Sequence, residues 1–481
     1  MLLAAIALPV VAGALLPAFR WKPRAQGCYV MVFTLLTSVI AAVVLFSDMP
    51  RLDLIRFNDR LTIALKLDDM GRVFAALIAL LWPLTSLYAL SYMKDEEKKD
   101  AFYSFFMMSY GVTLGIAMSA NLLTLYVFYE MMSLSTLPLV LHGGKAKSIA
   151  AGLKYLYYSL GGAAFAFIGL VYLVYFGGTT EFIPGGLFRG IATQRASQLQ
   201  LGYLLCFLGF SVKAAVFPVH GWLPTASVAP TPVTALLHAV AVVKSGVFAI
   251  IRVTYFSFGA LIIKGSYAQY IPLALTAFTI VFGCSMALKE KHLKRRLAYS
   301  TVSNLSYILF GALLLTPQGL TAGLMHMVFH ALMKITLFLT AGVYNVRANA
   351  HDVRQLRGIN TVWPVLGAVF ALSSLAMTGI PPLIGFISKW ALADAAVRQG
   401  GLLPMLGVAA LLISSLLTGI YLMVPVVMMY SGKRPKDGPE SMPVEPGMRL
   451  TLLALSAMIL ALSFYSRPLI DFLTRSASGL V

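Results

Sequence analysis

Between Leu201 and Arg252 the chain reads LGYLLCFLGFSVKAAVFPVHGWLPTASVAPTPVTALLHAVAVVKSGVFAIIR, two apolar runs separated by prolines, each with a lysine inside it. Lys213 sits among Val212, Ala214, Ala215 and Val216, and Lys244 follows Ala241, Val242 and Val243. A lysine near the centre of a bilayer costs roughly 2.5–3.5 kcal/mol even on the most lenient scales. A chain that does this repeatedly keeps ionisable groups where an ion must pass. Pro218, Pro224, Pro230 and Pro232 forbid one continuous helix, because each removes a backbone donor and clashes with the preceding turn. Interrupted backbone at membrane depth is tolerated only where protein or a wet cavity surrounds it. The stretch therefore predicts a polytopic membrane protein with a polar path inside.

Composition points the same way. Charged residues make up 11% of the 481 and hydrophobic ones 59%, whereas soluble domains carry about 25% charged residues. The net charge of +19 lies on short loops between apolar runs, which argues against nucleic acid as a partner. Cys28, Cys206 and Cys284 fall in different apolar runs without CxxC spacing, so neither a disulfide framework nor a metal site is expected. No Gly-rich phosphate loop or cofactor fold is visible, and no cofactor is expected. The N-terminus, MLLAAIALPVVAGALLPAF, lacks the basic start and cleavage site of a signal peptide and reads as the first span.

At about 20 residues per crossing, an all-α integral membrane protein of about fourteen spans is predicted. The spans fall near 2–19, 28–47, 72–93, 101–119, 121–141, 155–177, 201–220, 229–252, 269–289, 296–316, 318–345, 362–390, 402–430 and 449–466. Alternate loops carry the basic groups RWKPR (20–24), KDEEKK (94–99), Lys145/Lys147/Lys154, KEKHLKRR (289–296), Arg347/Arg354/Arg357 and GKRPK (432–436). The positive-inside rule puts these in the cytoplasm and both termini outside, in the cell's plasma (inner) membrane. Segment 48–72 has turn chemistry at Asn58-Asp59 and predicts a small outward hairpin. The loop from Ser431 to Met448, with Pro435, Pro439, Pro443 and Pro446, should be irregular.

The seventh span breaks after Lys213, and the twelfth breaks at Gly379-Ile380-Pro381-Pro382 with Lys389 beyond. Paired interrupted spans are the usual trace of inverted repeats in transporters. They divide the chain into three N-terminal spans (1–100), a first five-helix repeat (101–253), a second (269–430), and a C-terminal span and tail (449–481).

The ionisable residues inside these spans are the candidate site. Glu130, in TLYVFYEMMSLSTLPL, is costly unless paired or protonated, and Lys213 is its expected partner. A static clamp between two helices and a switchable pair both fit; the second alternately favours and disfavours the charged lysine, as a proton relay requires. His326, His330 and Lys334 recur every four residues, which stacks them on one helix face at about 6 Å intervals. Histidine titrates near neutral pH, so the stripe points to a relay. His238 and Lys244, six residues apart on one predicted helix, point to different faces. His220 closes the broken seventh span, either as a hydrogen-bonding lid or as a relay member. Lys389 is either a proton site or a lysine snorkelling to an interface. His142, His292 and His351 fall in loops and carry no expected role.

In this order the residues resemble the antiporter-like subunits of respiratory complex I, of Mrp-type cation/proton antiporters and of membrane-bound hydrogenases. The resemblance runs from about Ala101 to Trp390. It is carried by NLLTLYVFYEMMSLSTLPL, KAAVFPVHGWLPTASVAPTPVTALLHAVAVVKSGVF, KRRLAYSTVSNLSYI, HMVFHALMKITLFLTAG and GIPPLIGFISKW. It implies fourteen helices with two inverted repeats, an ion pair of Glu130 with Lys213, and a proton path through Lys244, His326, His330 and Lys389. Some members carry glutamate where Lys389 stands. The chain also lacks the long lateral C-terminal helix of the largest complex-I member, and so looks most like the D-type Mrp subunit or a hydrogenase-associated relative. The implied partners are other membrane subunits, the lipid bilayer and, in a redox complex, peripheral iron–sulfur proteins. Two functions compete within the resemblance, a secondary H+ antiporter with or without Na+ coupling and the pump module of a quinone- or ferredoxin-linked oxidoreductase. A structural subunit that had lost transport would have no need of so many costly buried charges.

Overall fold

A backbone that enters lipid must satisfy its own polar groups, which leaves helices as the solution for apolar runs of this length. The computed structural model, which describes residues 1–188, 195–432 and 443–480, is built accordingly. In chain order it comprises α1 (Leu2–Leu15), α2 (Pro23–Leu45), a hairpin of β1 (Leu52–Arg56) and β2 (Thr62–Leu65), α3 (Asp69–Tyr92), α4 (Lys99–Ala117), α5 (Leu122–Leu141) and α6 (Ala146–Gly177). There follow α7 (Ala196–Ser211), the short α8 (Trp222–Ala226), α9 (Thr231–Ala239), α10 (Val242–Arg252), α11 (Ala260–Ile263), α12 (Tyr267–Lys289), α13 (Leu293–Leu313) and α14 (Pro317–Ala348). The chain continues through α15 (Pro364–Thr378), α16 (Ile384–Gln399), α17 (Leu402–Tyr430), α18 (Pro446–Phe464) and α19 (Arg467–Ser478). Among the described residues, nine helical segments are long and apolar enough to cross a membrane, and the protein is a multi-pass membrane protein.

Burial orders these helices from centre to rim. The most apolar window of Thr231–Phe258 is 100% buried and that of α14 is 94% buried, against 28% for α2. The helix that carries the histidine stripe is thus a central pillar, packed by α3, α9, α13, α15, α16, α18 and α19. The predicted hairpin is present as an antiparallel pair, and Asn58 Oδ1 closes its turn by accepting from the Arg60 and Leu61 amides at 2.9 Å each.

Several predicted boundaries move. The seventh span does not continue to 220: α7 ends at Ser211, so Lys213 sits in the irregular segment and not inside a helix. The eighth span is itself interrupted between Ala239 and Val242, where the Ala241 amide reaches back five residues to Leu236 O. The basic residues placed in loops are partly helical. Lys154 lies on α6, while Lys294 and Arg296 begin α13, buried, with Lys294 Nζ donating to Ala229 O at 2.8 Å and Arg296 Nη1 to Tyr421 O at 2.9 Å. Pro446 starts α18 instead of sitting in a loop, as suits a first helical position with no amide to lose. Lys433, Arg434, Pro435, Lys436 and Pro439, from the last basic loop, lie outside the described residues. The tail beyond α18 adds α19, which tucks Leu473 and Ala477 inward.

A buried ion pair ties the N-terminal helices to the centre. Asp68 caps α3 by accepting from Gly71 N at 2.8 Å, and holds Arg252, at the end of α10, through two hydrogen bonds of 2.5 and 2.6 Å. The guanidinium also lies 4.5–5.0 Å from the rings of Phe182, Phe248 and Phe256. Burial raises the carboxyl's pKa, but the Arg252 charge and the hydrogen bonds outweigh it and hold Asp68 below the usual carboxylate range. A depressed folded value gives stability that is present above about pH 4 and lost as pH falls through the folded value. Asp68→Asn should destabilise the solubilised protein towards the lower end of the roughly 3–5 kcal/mol of a broken buried pair, since Asp68 keeps 33% of its side chain exposed. Thermal unfolding measured from pH 7 to 3 should show the wild-type advantage fading with acid.

Candidate functional site

On α14, His326, His330 and Lys334 form the expected stripe, each fully buried, and the two imidazoles stack with centroids 5.9 Å apart. The neighbours fix the His326 tautomer. Asn304, on α13, donates Nδ2 to Ser300 O at 2.8 Å, which turns its Oδ1 towards His326 Nε2 at 3.1 Å. An acceptor facing Nε2 places the ring proton there. Nδ1 is left to accept from the Ser388 hydroxyl on α16, 2.9 Å away. When the ring gains a second proton Nδ1 becomes a donor, and the Ser388 hydroxyl can turn to Gly385 O or Ile384 O at 3.3 and 3.4 Å. The ring nitrogens thus have hydrogen-bond partners suited to either protonation state.

His330 Nδ1 lies 3.1 Å from Lys244 Nζ, while its Nε2 is buried without a partner among the described residues. Lys244 stands on the first turn of α10, and its Nζ also donates to Ala239 O, a carbonyl at the interruption between α9 and α10. The break in the eighth span thus gives the ammonium a backbone dipole, as broken transporter helices do for their ions. His238 does not share a helix with Lys244: it ends α9, stacks on Phe338 at 4.7 Å, and has neither ring nitrogen hydrogen-bonded among the described residues. Lys334 Nζ donates to Ser300 Oγ at 2.7 Å.

Lys389 is held at the second break. Its Nζ donates to Thr378 O at 3.0 Å and Ser415 Oγ at 3.3 Å, and lies 5.5 Å from the centroid of Tyr307. The same phenol ring stacks on His326 at 5.1 Å, so Tyr307 stands between the two groups. Pro381 and Pro382 occupy the five-residue interruption between α15 and α16, and Gly379, at φ +92°, turns the chain there. A Cβ at Gly379 would also stand 3.1 Å from Lys389 Cδ. Gly379→Ala is therefore strained in two ways, and should lower the yield of folded protein by an amount that Gly379→Ser shares.

The expected Glu130–Lys213 pair is not closed. Lys213 Nζ donates to Tyr129 O and sits 3.4 Å from the centroid of the Tyr129 ring, while Glu130 Oε1 is buried with no hydrogen-bond partner among the described residues. Tyr129 takes the lysine because a break just beyond α7 leaves Lys213 on irregular backbone aimed at α5. Pro218 follows in that break, whereas Pro230 and Pro232 introduce α9. His220, half-buried, packs against Phe217 and Phe282 with Nδ1 unpartnered, which gives the lid reading no bond at that atom. Among the described residues no group of acidic, histidine or cysteine side chains forms a metal-binding cluster. Sequence reasoning missed Asn304, Ser388, Tyr307 and Arg252. The first three are uncharged residues scattered over α13 and α16, and periodicity carries no signal for them.

A family model described as NADH:quinone oxidoreductase/Mrp antiporter, TM, matches residues 119–418, which contain every one of these ionisable groups. The chain belongs to this family. Among its relatives, NADH-quinone oxidoreductase subunit N of Desulforudis audaxviator is 32% identical over 83% of this chain and 79% of its own length. A Na(+)/H(+) antiporter subunit of Alkalihalophilus pseudofirmus is 31% identical over 83% of this chain, which spans 52% of that longer protein. Two solved structures share the fold over 100% of the chain and 97% of theirs. One is from the membrane-bound sulfane sulfur reductase, an archaeal respiratory membrane complex (TM-score 0.88, 24% identity). The other is from the Mrp complex of Dietzia sp. (TM-score 0.87, 22% identity).

Proposed function

We propose that this antiporter-family chain is a proton-translocating subunit of a multi-subunit complex in the plasma membrane. In this reading H+, alone or exchanged for Na+, moves along Glu130, Lys213, Lys244, His330, His326 and Lys389, with Lys334, His238 and His220 supporting. The observation that carries it is the His330–Lys244 contact at 3.1 Å. Two fully buried bases that share a hydrogen bond have room for one proton between them, and a static core has no use for that arrangement. Each half of the proposed architecture of fourteen crossings, 101–253 and 269–430, holds a lysine beside broken backbone, Lys213 after α7 and Lys389 on α16. That recurrence supports the two inverted five-helix repeats, flanked by 1–100 and 449–481. An even number of crossings places both termini on one side, which the loop charges assign to the outside.

The partners are other membrane subunits, with lipid around the rim. The Mrp-type placement draws support from the Na(+)/H(+) antiporter relative, while the hydrogenase-type placement rests on the resemblance in sequence alone. The redox-pump placement, in which peripheral iron–sulfur subunits would supply energy, draws support from the subunit N relative, most of whose length this chain covers. Lys244→Met in the intact complex is the test of transport. It should lower ion flux per assembled complex by about 10²-fold or more, the scale of losing a proton-transfer group. Normal flux would end the relay reading. The purified chain alone should be inactive in liposomes, and robust ion exchange by it there would refute the dependence on partners.

A further inference from the structure

The histidine stripe does not give a hydrogen-bonded route from Lys334 to Lys389: the His326 and His330 rings stack without bonding each other, and His330 Nε2 has no partner among the described residues. A chain of side-chain hydroxyls and one thiol comes nearer to one. From Lys334 Nζ it passes to Ser300 Oγ at 2.7 Å, to the Tyr421 hydroxyl at 2.7 Å, and to Thr418 Oγ1 at 3.2 Å. Cys284 Sγ follows at 3.6 Å and Ser414 Oγ at 2.9 Å from that sulfur. The Tyr307 hydroxyl is 2.9 Å from Ser414 Oγ, and Lys389 Nζ, 5.5 Å from the Tyr307 ring centroid, donates to the adjacent Ser415 Oγ at 3.3 Å. Ser300, Cys284, Tyr307, Ser414, Thr418 and Tyr421 are all buried to 1% exposure or less.

We propose that this chain of hydroxyl groups and one thiol is a second proton wire, joining Lys334 to Lys389 beside the histidine stripe. The inference rests on the transport reading above. Three features of the geometry set it apart from ordinary interhelical glue. Ser414, Thr418 and Tyr421 lie four and three residues apart, so they line one face of α17 and turn it towards α12 and α13. Each member carries a hydrogen it can pass on while taking another on a lone pair. The two ends are amines, which can release and take up the proton that hydroxyls merely relay. In one passage the Lys334 ammonium gives a proton to Ser300, each group hands its own proton to the next, and the neutral Lys389 amine gains the last one. No electrons move, and Lys334 is left neutral. The reverse passage is equally balanced. Simple glue would need only the local bonds of this cluster, such as Ser303 Oγ to Ile280 O at 2.7 Å and Thr418 Oγ1 to Ser414 O at 2.7 Å.

The experiment uses the assembled complex and reads two quantities, complex per cell and ion flux per complex. Tyr421→Phe and Thr418→Val remove a hydroxyl with little change of shape, and Thr418→Ser and Cys284→Ser keep a hydrogen-bonding group in place. The first pair should lower flux per complex roughly tenfold, less than a lost acid–base group because the histidines remain, and the second pair should keep it. Lys389→Ala is run beside them. If Lys389→Ala abolishes flux while Tyr421→Phe and Thr418→Val leave flux per complex normal, the wire is overturned and the transport reading stands. If all three leave it normal, the transport reading falls and the wire with it.

Discussion

Lys389→Ala is expected to reduce ion flux per assembled complex by about 10²-fold or more, and Lys389→Arg is expected not to restore it. The amine sits against Thr378 O at the end of α15 and against Ser415 Oγ on α17, where a charged form is stabilised by a carbonyl dipole and a neutral form can accept from a hydroxyl. A terminal proton site needs both forms. Arginine stays charged inside proteins, so it reproduces the electrostatics and removes the release step. Its planar fork must also fit beside Gly379, where a Cβ would stand only 3.1 Å from the lysine Cδ. A lysine that merely snorkels or balances charge would be replaced by arginine with little loss. Flux per complex in the arginine variant, with the amount of complex as control, separates the two, and full activity there would remove Lys389 from the relay.

How far the sequence foretold this arrangement depends on which signal each part leaves. Proline and glycine mark backbone breaks, so the interruptions near Pro218 and at Gly379-Ile380-Pro381-Pro382 were visible, and with the second the place of Lys389, whereas Lys213, expected inside its helix, lies just beyond the end of α7 at Ser211. The break between Ala239 and Val242 contains neither residue type, and HAVAVVKS reads as unbroken apolar helix. Its surroundings are tertiary and leave no local signal: Gly246 on α10 lets the backbone of Lys213 and Ala214 approach where a Cβ would stand 2.4 Å from Ala214 N. The histidine stripe was legible because ionisable groups four apart on one helix announce themselves. The hydroxyl chain was not, because Ser300, Tyr307, Cys284 and Tyr421 are ordinary residues for three separate helices and acquire meaning only when α12, α13 and α17 meet. Asp68 and Arg252 stand far apart in sequence, each at a helix end, and each alone reads as a loop or interface charge.

Glu130→Gln is expected to lower flux per assembled complex while leaving the amount and thermal stability of the complex within about 1 kcal/mol of wild type, the ordinary range for a substitution that breaks no buried contact. The geometry separates this outcome from that of a clamp. In the structure Lys213 donates to the Tyr129 carbonyl and lies over the Tyr129 ring, and no ion pair to Glu130 is closed. Replacing the carboxylate by its near-isosteric amide therefore removes no existing bond to the lysine. A permanent clamp would instead cost roughly 3–5 kcal/mol when one partner is removed, because a buried charge is left uncompensated. What glutamine does remove is the alternative place for the Lys213 ammonium, one residue along α5 from the carbonyl it now holds. A switch with one position left cannot cycle. The double exchange Glu130→Lys with Lys213→Glu preserves the pair's net charge but puts the mobile amine on the rigid helix α5 and the carboxylate on the irregular segment. It should restore assembly if a clamp operates and leave flux abolished if the lysine must move. Complex per cell measured beside flux per complex decides the matter, and a Glu130→Gln complex that is scarce but fully active would show that Glu130 serves only to hold helices together.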